Sequence, residues 1–168
     1  MSGAEKWYAL YTNPRAEKKV AETLSAKGFE NYLPLQTTLK QWSDRKKKVQ
    51  EPLFKSYIFI KTDIARFLYE VLSINGIVKF IKTGKEISPV REEIIQAIKL
   101  SLLHFDAVEL SPVKFALHEK VKVIAGPLAG IEGHVAELSS NQYFAIHIEQ
   151  LGTSMLVKIP SRHLQQVS

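Results

Sequence analysis

Five cations crowd one short stretch, Lys40-Gln41-Trp42-Ser43-Asp44-Arg45-Lys46-Lys47-Lys48, against a single acid. Gathering like charges costs self-repulsion, which a phosphate backbone relieves while releasing counterions. The indole of Trp42 lies among them and can stack on a base or face a partner. A solvated loop that keeps the neighbouring strands soluble uses the same residues, so charge leaves both readings open. A second group is apolar. Along residues 52–60 the side chains alternate, so Tyr57 and Phe59 share one face while Ile58 and Ile60 share the other. Trp7, Ala9 and Tyr11 alternate with Tyr8 and Leu10 in the same way. Both faces of this sheet are apolar, more than three short helices can cover. The remaining cap would be the second helix, the chain's own C-terminal part, a second copy, or a partner helix laid into a groove.

Catalytic constellations are missing from the sequence. With no cysteine, disulfides, thiolate zinc sites and cysteine nucleophiles are excluded. The histidines, His104, His118, His134, His147 and His163, include no pair at the i, i+4 spacing of helical metal sites, so no metal and no cofactor is expected. Gly126, Gly130 and Gly133 have the wrong spacing for a dinucleotide loop and no lysine follows for a phosphate loop, which leaves them as turn residues. There is no Gly-x-Ser-x-Gly elbow, and Glu92-Glu93 read as solvated acids. The expectation is a protein that is not an enzyme.

The elements that carry these groups follow from periodicity. Residues 7–11 read as a strand, and Asn13-Pro14 opens a helix with Ala16, Val20 and Leu24 inward. Residues 30–40 and 52–61 read as strands joined by the long polar tip. Asp63 caps a helix whose apolar positions are Ile64, Phe67, Leu68, Val71 and Leu72, and Asn75-Gly76 ends it before a strand at 77–81. Ser88-Pro89 opens a third helix with Ile94, Ile95, Ile98 and Leu102 inward. The order βαββαβ predicts an α+β, ferredoxin-like antiparallel sheet over residues 1–103. A linker at 104–114 carries Pro112, and about five short strand-like runs in 115–168 predict a small SH3-like β-barrel.

Composition is that of an ordinary globular chain: 168 residues, 45% hydrophobic, 24% charged, net charge +6. Residues 1–110 hold 18 Lys/Arg against 13 Asp/Glu, and the remainder 5 against 4, so a nucleic-acid contact is expected in the first part. No apolar run approaches the roughly 18 to 20 residues that span a bilayer. The N-terminal apolar stretch, broken by Thr12-Asn13-Pro14-Arg15, is too short for a signal-peptide core. The expectation is a cytoplasmic monomer without a membrane partner.

Several motifs together are specific. Trp7-Tyr8-Ala9-Leu10-Tyr11 followed by a helix, Tyr32-Leu33-Pro34, residues 51–60 and Asn75-Gly76-Ile77-Val78 resemble the N-terminal domain of the NusG family of transcription elongation factors. Residues 121–135 are similar to that family's KOW module. Glu51-Pro52-Leu53-Phe54 and residues 39–47 look closer to the specialised RfaH and UpxY antiterminators than to housekeeping NusG, and Lys55-Ser56 stands where the latter have Pro-Gly. The resemblance implies that the first domain docks on the clamp helices of RNA polymerase through a pocket formed by Tyr11, Phe54, Tyr57 and Phe59. It also implies non-template DNA strand contact through Arg15, Lys18 and Lys19, to which the tip cations Lys40, Arg45, Lys46, Lys47 and Lys48 add. The bridging segment aligns with Phe67-Leu68-Tyr69-Glu70 but departs from the His-Thr run of RfaH. The KOW module, with Gly126, Gly130 and Gly133 as its turn residues, implies a ribosomal protein or termination factor as partner. His118-Glu119 replaces that module's usual Gly-Asp. The function implied is suppression of pausing and termination at a particular long operon, such as one for surface polysaccharide. A general NusG factor, a ribosome- or RNA-binding KOW protein, and an acylphosphatase-like enzyme are the competing readings; Asn13-Pro14-Arg15 offers the last no phosphate-cradling glycine loop.

Overall fold

The computed structural model describes residues 3–112, 120–138 and 140–167. The chain divides into two compact units, Met1–Val90 and Arg91–Ser168, a division ahead of the boundary expected after residue 103. In chain order the first holds β1 (Lys6–Thr12), α1 (Glu17–Ala26), β2 (Glu30–Tyr32), β3 (Leu35–Trp42), β4 (Arg45–Pro52), β5 (Tyr57–Thr62), α2 (Ile64–Leu72), β6 (Ile77–Phe80), β7 (Lys82–Thr83) and β8 (Glu86–Ile87). The second holds α3 (Glu92–His104), β9 (Glu109–Ser111), β10 (Lys120–Val123), β11 (Glu132–Leu138), β12 (Asn141–Ile148), β13 (Thr153–Val157) and β14 (Leu164–Gln166).

The first unit is built on a four-stranded antiparallel sheet in the order β2-β5-β1-β6. Alternation sets its two faces: Leu10 lies opposite Ile58 and Tyr8 opposite Ile60, while Ala9 lies opposite Phe59 and Tyr11 opposite Tyr57. Tyr8, Leu10, Ile58 and Ile60 form one core with Val20 and Leu24 of α1 and Val71 of α2, against which Ile64, Phe67, Leu68 and Leu72 also pack. Both helices of this unit thus cover the same face, which disposes of α2 as a cap for the opposite one.

Three local boundaries differ from expectation. Arg15 takes a left-handed φ of 66°, so α1 begins at Glu17 and not at Pro14. Val90 bridges to Trp7, its N–H donating to the Trp7 carbonyl at 2.8 Å, and this pairing holds Val90 against β1 and delays α3 to Glu92. The polar tip is a regular two-stranded ribbon of β3 and β4, paired from Leu35–Pro52 out to Trp42–Arg45 and closed by Ser43-Asp44. Asp63 does cap α2, its Oδ1 accepting the Ala65 N–H at 3.2 Å.

The second unit is a six-stranded antiparallel sheet, β14-β10-β11-β12-β13-β9, with α3 against β12. Part of the stretch expected as linker is a strand, because β9 pairs with β13 through Leu110 opposite Met155. The end of that linker and His118-Glu119 lie outside the described residues. β12 is buried on both faces. Phe144, Ile146 and Ile148 point one way, and Tyr143 and Ala145 join Ala136 and Leu156 on the other.

Candidate functional site

The sheet face opposite α1 and α2 carries the aromatic residues singled out in the sequence. Phe59 lies at its centre, stacked near parallel on Tyr32 (centroids 6.4 Å) and edge-to-face with Phe54 (6.4 Å). Tyr11 and Tyr57 pair at 5.5 Å toward one end, and Lys79 Nζ stands 5.9 Å over the Tyr11 ring. The four expected pocket residues therefore share one surface but not one environment. Phe59 and Phe54 are buried, at 0% and 4% exposure, whereas Tyr11 and Tyr57 are half-buried. The four do not contribute equally to the expected pocket: on this shared face Tyr32 and Phe54 pack against Phe59 and remove it from water, and the tyrosines keep accessible surface. Burial pushes the Tyr32 phenol up to about 12, so that hydroxyl stays protonated across the ordinary pH range.

Two contributors to this face escape sequence reasoning. Tyr32 reaches Phe59 because β2 pairs with β5, and Lys79 reaches Tyr11 because β6 pairs with β1. Both depend on long-range register, for which no local signal exists.

The cations distribute over the ribbon by strand pairing. Trp42, Lys40, Arg45 and Lys47 share one face; Leu39, Gln41, Lys46 and Lys48 share the other. Lys40 and Lys47 lie directly opposite each other, a destabilising like-charge pair. Lys40 is partly compensated by an ion pair with Glu51, and that hydrogen bond holds the Glu51 carboxyl below the usual carboxylate range. Trp42 is 56% exposed and Leu39 65%. Arg45 and Lys47 have no carboxylate partner among the described residues. Of the three cations placed near α1, Arg15 and Lys19 are exposed, while Lys18 Nζ donates to the Gln50 carbonyl of β4 at 2.7 Å. This ties α1 to the base of the ribbon.

Residues 67–70 lie on α2. Phe67 is held inward by Phe29 (5.4 Å, edge-to-face) and Tyr69 is 83% exposed. In the second unit Gly126 and Gly130 do adopt left-handed turns, with φ of 86° and 92°. Gly133 does not. It lies in β11 opposite Val121, and a Cβ there would stand 2.5 Å from the Ala145 carbonyl oxygen and 2.7 Å from the Phe144 ring, so close approach explains this glycine. Among the described residues no three His, Asp or Glu gather as a metal site, and no helix is long and apolar enough to cross a membrane.

Comparison with known proteins agrees on one family. The family described as transcription termination factor NusG matches residues 5–99. The transcription termination/antitermination protein NusG of Thermus thermophilus is 26% identical over 152 residues, covering 80% of this chain and 83% of that protein. Among solved structures, one of NusG from Thermotoga maritima, concerned with its domain interaction, superposes with a TM-score of 0.55 at 22% identity over 98% of both chains. The last is a likeness of fold.

Proposed function

This chain belongs to the NusG family of transcription termination and antitermination factors, and from that premise we propose that it binds elongating RNA polymerase and suppresses pausing and termination without catalysing a step itself. The observation that carries the reading is the sheet face opposite the one that α1 and α2 cover among the described residues, rowed with Tyr32, Phe59, Phe54, Tyr57 and Tyr11. An apolar surface bordered by Lys79 suits the apolar side of a helical pair, here the clamp helices. Tyr11 and Tyr57 supply the contact, and the buried Phe54 and Phe59 form the core of the same face beside them. Strand order and helix placement in the first unit favour the ferredoxin-like arrangement, and the six-stranded sheet favours a KOW barrel that recruits a ribosomal protein or termination factor. Arg15, Lys18, Lys19 and the ribbon cations would meet the non-template strand as the polymerase advances.

Action at a particular operon, and not at most genes, is favoured by Ser56. It occupies a left-handed φ of 68° where housekeeping relatives have glycine, and the Glu17 carboxylate accepts its N–H at 2.9 Å. This local solution supports a lineage apart from the general factor. The test is in vitro transcription through a pause and a terminator with the purified protein. Wild type is expected to raise read-through and remain on the polymerase, and Tyr11→Ala/Tyr57→Ala to lose both, since partner-facing aromatics often contribute about 2 kcal/mol or more each. Read-through by the double variant equal to wild type would defeat the docking surface.

A further inference from the structure

Resting on the reading of the β3–β4 ribbon as a nucleic-acid contact, we infer that it works with one face only, as a stacking site for single-stranded nucleic acid centred on Trp42. Strand pairing places the indole with Arg45 directly across and Lys40 and Lys47 two positions back on the same face, and Trp42, Arg45 and Lys47 line a shallow concavity at the ribbon end together with Ser43 and Asp44. Lys46 and Lys48 project from the opposite face with Leu39 and no aromatic ring. Cations alone fit phosphates of duplex and single strand alike. An indole left 56% exposed finds a stacking partner only where a base offers its flat face, and the bases of a duplex keep theirs against each other. Lys40 is occupied by Glu51, so the charge available beside Trp42 comes from Arg45 and Lys47. Lys18, bonded to Gln50 at the ribbon base, would meet the backbone of the same strand roughly 17 Å away at about 3.3 Å per ribbon residue.

The protein contains two tryptophans, and Trp7 is 3% exposed, so quenching by an added ligand reports on Trp42. Titration of the full chain with oligo(dT), oligo(U) and a mixed-sequence duplex at low salt is the test. Quenching by the single strands and little by the duplex is expected; for the variants, which lack the reporting indole, affinity is read from the anisotropy of end-labelled oligonucleotides, with Trp42→Ala weakening single-strand affinity about tenfold and Trp42→Phe restoring most of it. Arg45→Gln/Lys47→Gln is expected to weaken binding more than Lys46→Gln/Lys48→Gln, which removes the same charge from the other face. Equal losses in the two double variants, or equal quenching by duplex, would overturn the one-faced stacking site while leaving a nucleic-acid ribbon in place. No binding to any of the three probes would overturn the ribbon reading itself. Quenching by oligo(dT) alone or oligo(U) alone would support the site and name its source.

Discussion

At the residue scale, two aromatic residues two positions apart on one strand face, Tyr57 and Phe59, do different jobs. Phe59 is enclosed by Tyr32, Phe54 and the paired Ala9, and its ring is fully removed from water. Phe59→Ala should therefore act through a cavity, costing about 3 to 5 kcal/mol in urea unfolding. Tyr57→Ala, at a half-buried position beside Tyr11, should cost well under half of that. Comparable losses at the two positions would mean that Tyr57 is as much a core residue as Phe59, and the docking surface would shrink to Tyr11. The contrast also dictates method: loss of polymerase binding in a Phe59 variant reports unfolding, and only the tyrosines separate contact from stability.

At the element scale, close strand approach governs the second unit. β10, β11 and β12 run together where Gly133 lets the Ala145 carbonyl and the Phe144 ring come near, and Gly126 shapes the turn between β10 and β11. A methyl group at 133 must displace backbone as well as a ring, whereas at 126 it meets open space and only the left-handed φ is strained. Gly133→Ala is expected to lower stability by about 1 to 3 kcal/mol and Gly126→Ala by about 1, measured by thermal unfolding of the full chain. The reverse ranking would show that β11 relaxes away from β12 at little cost. The ribbon obeys the same rule of pairing. Its cations were legible as a cluster from composition, but their division between two faces follows only from the register that sets Trp42 against Arg45.

At the scale of the whole molecule, charge is segregated by unit. Residues 1–90 carry 16 Lys/Arg against 9 Asp/Glu, and residues 91–168 carry 7 against 8. The salt dependence of nucleic-acid binding should accordingly reside in the first unit. Neutralising Arg45 and Lys47 is expected to flatten the slope of log affinity against log salt by about 0.7 for each single-strand phosphate that these cations neutralise, and neutralising Lys158 and Arg162 to leave it unchanged. An equal change from the second pair would spread the binding surface over both units. Much of this organisation was readable before any coordinates. The alternation in Trp7–Tyr11 and Tyr57–Ile60, the 3.6-residue period of α2 with its Asp63 cap and the strand-rich C-terminal part are all local patterns, and local patterns survive reading one residue at a time. What only the tertiary structure decided were matters of long-range pairing: that Val90 belongs to the edge of β1, that β9 is a strand, that both first-unit helices choose one face, and that Phe54 and Phe59 are buried while Tyr11 and Tyr57 keep accessible surface. A side chain's alternation says that two faces exist; which of them water reaches depends on segments distant in sequence, whose energetic preference no window of neighbouring residues contains.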